Sequence, residues 1–234
     1  MSEPQPWSGP GVIFTFFKLP ESSKVSQHTI ERWFDEEYVP KLLETEIVKL
    51  GWLYKAANPQ YDKQHLLIYK VSDFAQAGKL KEVPRISEKG LFGGDVHDHI
   101  EFESRIYSFV QLYETSKQDE DSAPTILLAM MQPQPGGEAD LDSWYRDEHN
   151  QQMSEQPGWK RTTRFSLLFQ HGSVGRTNEE LSFLAIHEFG EGNKLGIDVE
   201  ALEPISDWTK KVMGEAKAID AGIYYKTKAL GKGA

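Results

Sequence analysis

With 234 residues, 38% of them hydrophobic and 12% aromatic, the chain can fill one large core or two ordinary ones, which excludes a disordered polypeptide. A formal charge of −10 excludes a polyanion-binding surface, because nucleic-acid recognition needs a basic face. The absence of cysteine excludes disulfides, thiolate metal sites and a cysteine nucleophile.

The opening MSEPQPWSGPG is polar and proline-rich and lacks the basic start and apolar block of a secretory leader. No apolar run approaches the ~20 residues that span a bilayer. A cytoplasmic location is therefore expected, with neither membrane nor nucleic acid as partner. VIFTFFKLP, Val12 to Pro20, has strand composition. An amphipathic helix is predicted from Ser26 to about Glu44 and contains WFDEEY, Trp33 to Tyr38. Gly51-Trp52 introduces a second strand, LYKAAN, and LLIYKV (Leu66 to Val71) is a third. A second helix is predicted over Asp73 to Val83, and RIYSFVQLYE makes a fourth strand.

TSKQDEDSAP, Thr115 to Pro124, has no periodicity, four charges and a proline, and reads as a linker. After it the succession repeats. ILLAMMQP (Ile126 to Pro133) is a strand, and a helix from Asp140 to about Glu155, with Asp140 or Asp142 as cap, carries WYRDEH, Trp144 to His149. Gly158-Trp159 leads into KRTTRFSLLFQ, LSFLAIHEF follows, a helix is predicted over Ile205 to Ala218, and GIYYKTKAL ends the set. Aligning Trp33 with Trp144 places Phe34, Glu37 and Tyr38 on Tyr145, Glu148 and His149. Gly51-Trp52 then meets Gly158-Trp159 at the cost of a four-residue length difference. LLIYKV matches SFLAIHE with Lys70 against His187, and Ile106-Tyr107 matches Ile223-Tyr224. Five landmarks in one order point to a duplication. The expected fold class is α+β: two β-α-β-β-α-β ferredoxin-like repeats, 1–115 and 125–234, joined by a linker at 116–124. Each sheet would have helices on one face only, so the two sheets are expected to cover one another inside the single chain, an internal pseudo-dimer packed into a barrel-like core.

The second copy, D-x-x-x-W-Y-x-x-E-H followed by P-G-W-x-R-x-x-R-F, resembles the EthD-type branch of the dimeric α+β barrel superfamily through Trp144, Tyr145, Glu148, His149, Pro157, Gly158, Trp159, Arg161, Arg164 and Phe165. The first copy keeps Trp33, Phe34, Glu37, Gly51 and Trp52, but has tyrosine for the histidine and lacks the arginines. The resemblance implies a pocket between sheet and helices in each half. It also implies relatives that work without a cofactor on aromatic or polyketide-like molecules, others that bind haem, and others with no catalytic role.

Residues four apart share a helix face, so Tyr145 is expected to meet His149, and Trp144 to meet Glu148. A tyrosine–histidine couple beside a cleft can move a proton near neutrality; His149 could equally hydrogen-bond at a helix end. His149, Tyr145 and His187 are the expected catalytic residues. Trp144, Trp159, Arg164, Tyr38, Tyr107 and Tyr224 are the expected substrate-binding ones. His187 shares a strand face with Ala185 and lies at the pocket or at an exposed edge, whereas Arg161 and Arg164 point to opposite faces, so only one lines a pocket. HDHIEFESR, His97 to Arg105, could set two histidines and Glu101 or Glu103 around a metal if it is a strand; in a loop its histidines are solvated. The expected function is dehydration, decarboxylation, cyclisation or isomerisation of a small aromatic or polyketide-like substrate by a lyase or isomerase needing no cofactor and no metal, as a monomer or homodimer. Non-catalytic carriage of a hydrophobic molecule and haem binding are the alternatives.

Overall fold

The alternation in VIFTFF becomes strand β1, Gly11–Lys18, which sends Val12, Phe14 and Phe16 to one side and Phe17 to the other. The computed structural model describes residues 7–119, 123–174 and 180–230. The remaining strands are β2 Val48–Ala56, β3 His65–Val71, β4 Glu101–Glu114, β5 Thr125–Pro133, β6 Trp159–Gly172, β7 Phe183–Phe189 and β8 Ala216–Leu230. They form one closed antiparallel barrel in the order β1-β3-β2-β8-β5-β7-β6-β4. Two sheets packed on one another around a barrel-like core were expected; a barrel does form, and it closes by pairing of the sheet edges at the seams β2·β8 and β4·β6. The reason lies in the long strands β4, β6 and β8, whose backbone donors and acceptors would otherwise face water, and closure removes those edges. The linker expected at 116–124 falls between β4 and β5, and residues 120–122 lie outside the described ones.

The chain order within β4-β1-β3-β2 and within β8-β5-β7-β6 is the same. Pairing fixes which positions correspond. Gly11 faces Val71 as Thr125 faces Phe189, so Tyr69 corresponds to His187, and Lys70 to Glu188. The alignment of Lys70 with His187 was therefore one residue out of register. Val48 pairs with Val71, and Trp159 with Phe189, each just before an identical one-residue bulge. Trp52 thus corresponds to Thr163 rather than to Trp159, and no length difference is needed there.

One core fills the barrel, built on Phe14, Phe16, Tyr54, Tyr107, Leu184 and Tyr224. Each fully buried Phe contributes roughly 1.5–3 kcal/mol. Other apolar layers lie between the barrel's outer face and the helices. Helix α1, Gln27–Trp33, starts where Ser26 accepts the Thr29 N–H at 3.1 Å. It widens into a π-turn over Phe34–Tyr38 and continues as α2, Val39–Glu44. In the second half α3, Glu138–Trp144, the π-turn Tyr145–His149 and α4, Asn150–Ser154, repeat that plan. Gly137 takes the cap position there, and Asp140 is instead held by Lys211 and Trp208. The helix predicted over Asp73 to Val83 is only a run of 3₁₀ turns, Phe74–Glu82: it buries Phe74 alone and so has no apolar face to hold it. The last helix, α5, is shorter than predicted, Asp207–Gly214, because the chain enters β8 at Ala216. Among the described residues no helix is long and apolar enough to cross a membrane.

Candidate functional site

The π-turns sit where the two copies share WFDEEY and WYRDEH. In each, a backbone N–H reaches back five residues, Val39 to Phe34 and Asn150 to Tyr145. The extra residue per turn shifts side-chain neighbours from i+4 to i+5. Trp144 consequently stacks on His149, centroids 4.1 Å apart and planes at 18°, rather than facing Glu148. Trp33 stacks on Tyr38 in the same way, at 4.7 Å and 20°. Glu148 is turned away to accept the hydroxyls of Ser206 at 2.5 Å and Thr209 at 3.1 Å, and the Trp144 indole also donates to Thr209. Glu37 likewise accepts Ser87 Oγ–H and the Glu88 N–H, and the Trp33 indole donates to the Ile86 carbonyl. The recurrent tryptophan and glutamate therefore fasten the helix to the segment that follows the third strand of each half.

What differs is the pair beneath. On the outer face of β7, His187 is 1% exposed, and its ring lies 5.6 Å from His149 and 6.4 Å from Tyr145. Tyr145 also meets His149 edge-on at 5.3 Å. The matched first-half positions carry Tyr38 and Tyr69, 6.4 Å apart. Arg164, on the outer face of β6, lies 4.6 Å over the Tyr145 ring and donates to Gln111 and Asp142. Thr162 takes the Trp159 indole N–H at 3.2 Å and stands 2.8 Å from His187 Nδ1. With the hydroxyl as donor to Nδ1, the proton of a neutral His187 sits on Nε2.

Burial sets the protonation of this layer. It holds His149 down to about 4, against weaker opposing effects of Gln152 and the Glu148 charge. It holds His187 well below its usual range, with His149 adding to the effect. The Tyr145 hydroxyl is pushed up to about 12 by burial, opposed by Arg164. Both imidazoles are thus neutral at pH 7 and each offers one donor and one acceptor. His149 Nδ1 and both amide atoms of the fully buried Asn150 have no hydrogen-bond partner. Buried polar atoms are ordinarily paired, so unpaired ones mark a place where a water or a ligand polar group belongs.

The structure thus gathers Tyr145, His149, His187, Trp144 and Arg164 in one layer, with Trp159 joined to it through Thr162. Tyr38 lies in the equivalent first-half layer. Tyr107 and Tyr224 point into the barrel, where they donate to the Leu181 and Lys63 carbonyls, so they do not join the others. Arg161 and Arg164 do face opposite ways: Arg161 is on the inner side, paired with Glu188. His97 and His99 stand on a 3₁₀ turn, Val96–Asp98, and its C-cap, not on a strand. His97 stacks on Phe102, and His99 bonds the Gly93 carbonyl at 2.6 Å, while Glu103 is inside the barrel. Among the described residues no group of three or more His, Asp or Glu could hold a metal.

Sequence reasoning missed Asn150 and Thr162, and also a charge cluster inside the barrel. There Lys63, 2% exposed, meets Asp220 at 2.6 Å and Glu103 at 3.4 Å, and Glu103 meets Arg105 at 2.6 Å. Glu103 and Arg105, two apart on a strand, share a face, which was a readable signal. The opposite end of the barrel holds a cavity of about 170 Å³ with Lys70, Arg161 and Glu188 in its wall. His149, Tyr145 and His187 do not line it.

No protein-family model matches the chain, and no curated protein matches it. Solved structures do. An anthrone oxidase-like protein superposes with a TM-score of 0.54 at 10% identity, covering 97% of this chain and 94% of the other. A proposed monooxygenase of Fusobacterium nucleatum gives 0.55 at 9% identity, with 97% and 96% covered. A proposed chlorite dismutase gives 0.53 at 11% identity, with 94% and 96% covered. At such identities the likeness shows the fold alone, that of dimeric α+β barrel proteins. No family model supports the narrower EthD-type branch.

Proposed function

We propose that the chain is a duplicated, internally dimeric α+β barrel, made of the ferredoxin-like halves 1–115 and 125–234. We further propose that it is a small-molecule enzyme whose reaction site is the layer beneath the second π-turn. The observation that carries this reading is the unpartnered His149 Nδ1 beside Tyr145 and His187, followed in the chain by the buried and unpartnered Asn150 amide. The aromatic surroundings suit a mostly apolar, ring-bearing substrate. A neutral His187 N–H and the Tyr145 hydroxyl, which otherwise donates to the Met131 sulfur at 3.8 Å, can donate to a carbonyl or enolate oxygen. An imidazole of pKa about 4 holds a proton at pH 7 in only about one molecule in a thousand, a penalty of about 4 kcal/mol. His149 therefore accepts a proton only from an acidic substrate group, such as the carbon next to a ketone whose oxygen is already polarised. Enolisation, and the isomerisation or elimination that follows from it, is the chemistry that fits, with no cofactor required. Substitution of the matched Tyr38 and Tyr69 for the two histidines leaves the first half without this function.

The test is solvent deuterium uptake into a panel of aromatic and cyclic ketones, followed by proton NMR. Exchange above background that disappears in a folded His149→Phe variant is expected. Exchange absent throughout the panel, or unchanged in that variant, refutes the assignment.

A further inference from the structure

The barrel-end cavity lies on the other side of the sheet from the histidine layer and is independent of it. Side chains facing the barrel interior from both halves build it, so neither half could form it alone. Tyr54 and Phe165 hold matched positions in its wall, as do Ile68 and Ile186, and within each pair the bulk is similar. Trp52 and Thr163 are matched as well and also line it, but here the bulk differs greatly. The second half thus sets a short side chain where the first sets an indole, and room for a ring is left in the company of Trp52. That room, about 170 Å³, is of single-ring size, since an apolar cavity of about 150 Å³ takes up benzene. Phe109, 44% exposed, carries the wall out to solvent and gives an entry. The charges in the wall are answered within the protein: Arg161 forms a two-point ion pair with Glu188, and Lys70 is likewise not without a partner. An ionic ligand would give up its water here and meet no unmatched counter-charge, whereas a neutral ring gains aromatic contact at little desolvation cost.

We propose that this cavity is a second binding site, which takes an uncharged one-ring aromatic molecule. The ring occupies the space that Thr163 leaves beside the Trp52 indole, among side chains of both halves. Two features commit the occupant: the size of the room limits it to one ring, and the internally paired wall charges exclude an ion of either sign.

Benzyl alcohol, benzoate and benzylamine, similar in size and different in charge, are the probes, followed by calorimetry at pH 7 and by the indole N–H signals in a ¹H–¹⁵N spectrum of the whole chain. Benzyl alcohol is expected to bind at one site and to shift the Trp52 indole while leaving that of Trp144 in place. It should bind at least about tenfold more tightly than either ion, a difference of about 1.4 kcal/mol. Thr163→Trp, which sets a second indole in the vacant space, should abolish binding. No binding of benzyl alcohol, equal or tighter binding of benzoate or benzylamine, a response at Trp144 instead of Trp52, or undiminished binding by a folded Thr163→Trp variant overturns the proposal. The three probes on the wild type decide the matter even if Thr163→Trp fails to fold. Because the readout is binding, and Trp52 and Trp144 separate the two sites, a negative result here leaves the deuterium-exchange test intact, and the converse holds.

Discussion

Replacing Glu103 by glutamine is the most informative single change to the barrel. The Glu103 side chain is fully buried. One oxygen takes Arg105 Nε at 2.6 Å and stands 3.4 Å from Lys63 Nζ, and the other accepts the Val174 N–H at 3.2 Å. Asp220, at the matched position on β8, takes Lys63 Nζ at 2.6 Å and the Tyr61 hydroxyl. Two cations and two carboxylates thus balance in a region with little water. Glu103→Gln preserves shape and removes one negative charge, so that Arg105 loses its carboxylate while Lys63 keeps Asp220. At an effective dielectric of about 20, one contact at this range is worth about 5 kcal/mol before desolvation is counted. Measured costs of removing one partner from a buried ion pair run about 3–5 kcal/mol, and that is the expected loss. Urea unfolding at pH 7, followed by tryptophan fluorescence and far-ultraviolet circular dichroism, should show the midpoint falling by about 1 M or more with an unchanged slope. Both signals should move together, because Lys63 and Asp220 come from opposite parts of the chain and close one seam of the barrel. A further Lys63→Met change restores the charge balance and should cost less than the sum of the two single changes. A loss below about 1 kcal/mol, or separate transitions for the two signals, would refute the reasoning.

Acid should destabilise the fold through His149. Its folded pKa of about 4 lies below the unfolded value near 6.5, so the unfolded chain takes the proton first. Stability is then complete above pH ~6.5 and falls as the pH drops toward ~4, by on the order of 3 kcal/mol from this residue alone, and His149→Phe should flatten that slope in denaturant midpoints. Glu148→Ala removes the acceptor of Ser206 and Thr209. It should cost about 1–3 kcal/mol and speed amide exchange selectively in α5. Gly11→Ala would set a Cβ 2.1 Å from the Tyr107 carbonyl oxygen and 2.5 Å from the Phe74 ring. A melting-temperature loss equivalent to about 2 kcal/mol or more is expected, whereas Gly78→Ala, with open space around it, should be close to neutral.

The features legible in the sequence were those enforced locally. Strand alternation marked the elements, and the recurrence of Trp33 and Glu37 as Trp144 and Glu148 was visible because both copies need the same ties to the following connector. The exchange of Tyr38 for His149 was legible for the same reason. The partner position was not: placing His187 opposite Tyr69 requires the pairing of β3 with β1 and of β7 with β5, and both Lys70 and Tyr69 were acceptable partners by composition. The π-turn left no spacing signal, so the i+4 rule put Trp144 beside Glu148 when the indole in fact stacks on His149. Closure of the barrel is a long-range event, and with it came everything the chain order could not display: Lys63 beside Asp220, 157 residues later, and the cavity walled by Lys70, Arg161 and Glu188. Tyr107 and Tyr224 were correctly matched as equivalent positions, but they face the barrel core and not the histidine layer.

The account rests on a pair of neutral imidazoles enclosed under the second π-turn, where the other half has two phenols. Histidine-resolved ¹H–¹⁵N NMR across the folded pH range tests this directly. The expected result is a His149 ring half-protonated near pH 4, a His187 ring unprotonated throughout, and a cross-relaxation contact between the two. A His149 ring that titrates near 6.5, as a solvated histidine does, without contact to His187 would contradict the account.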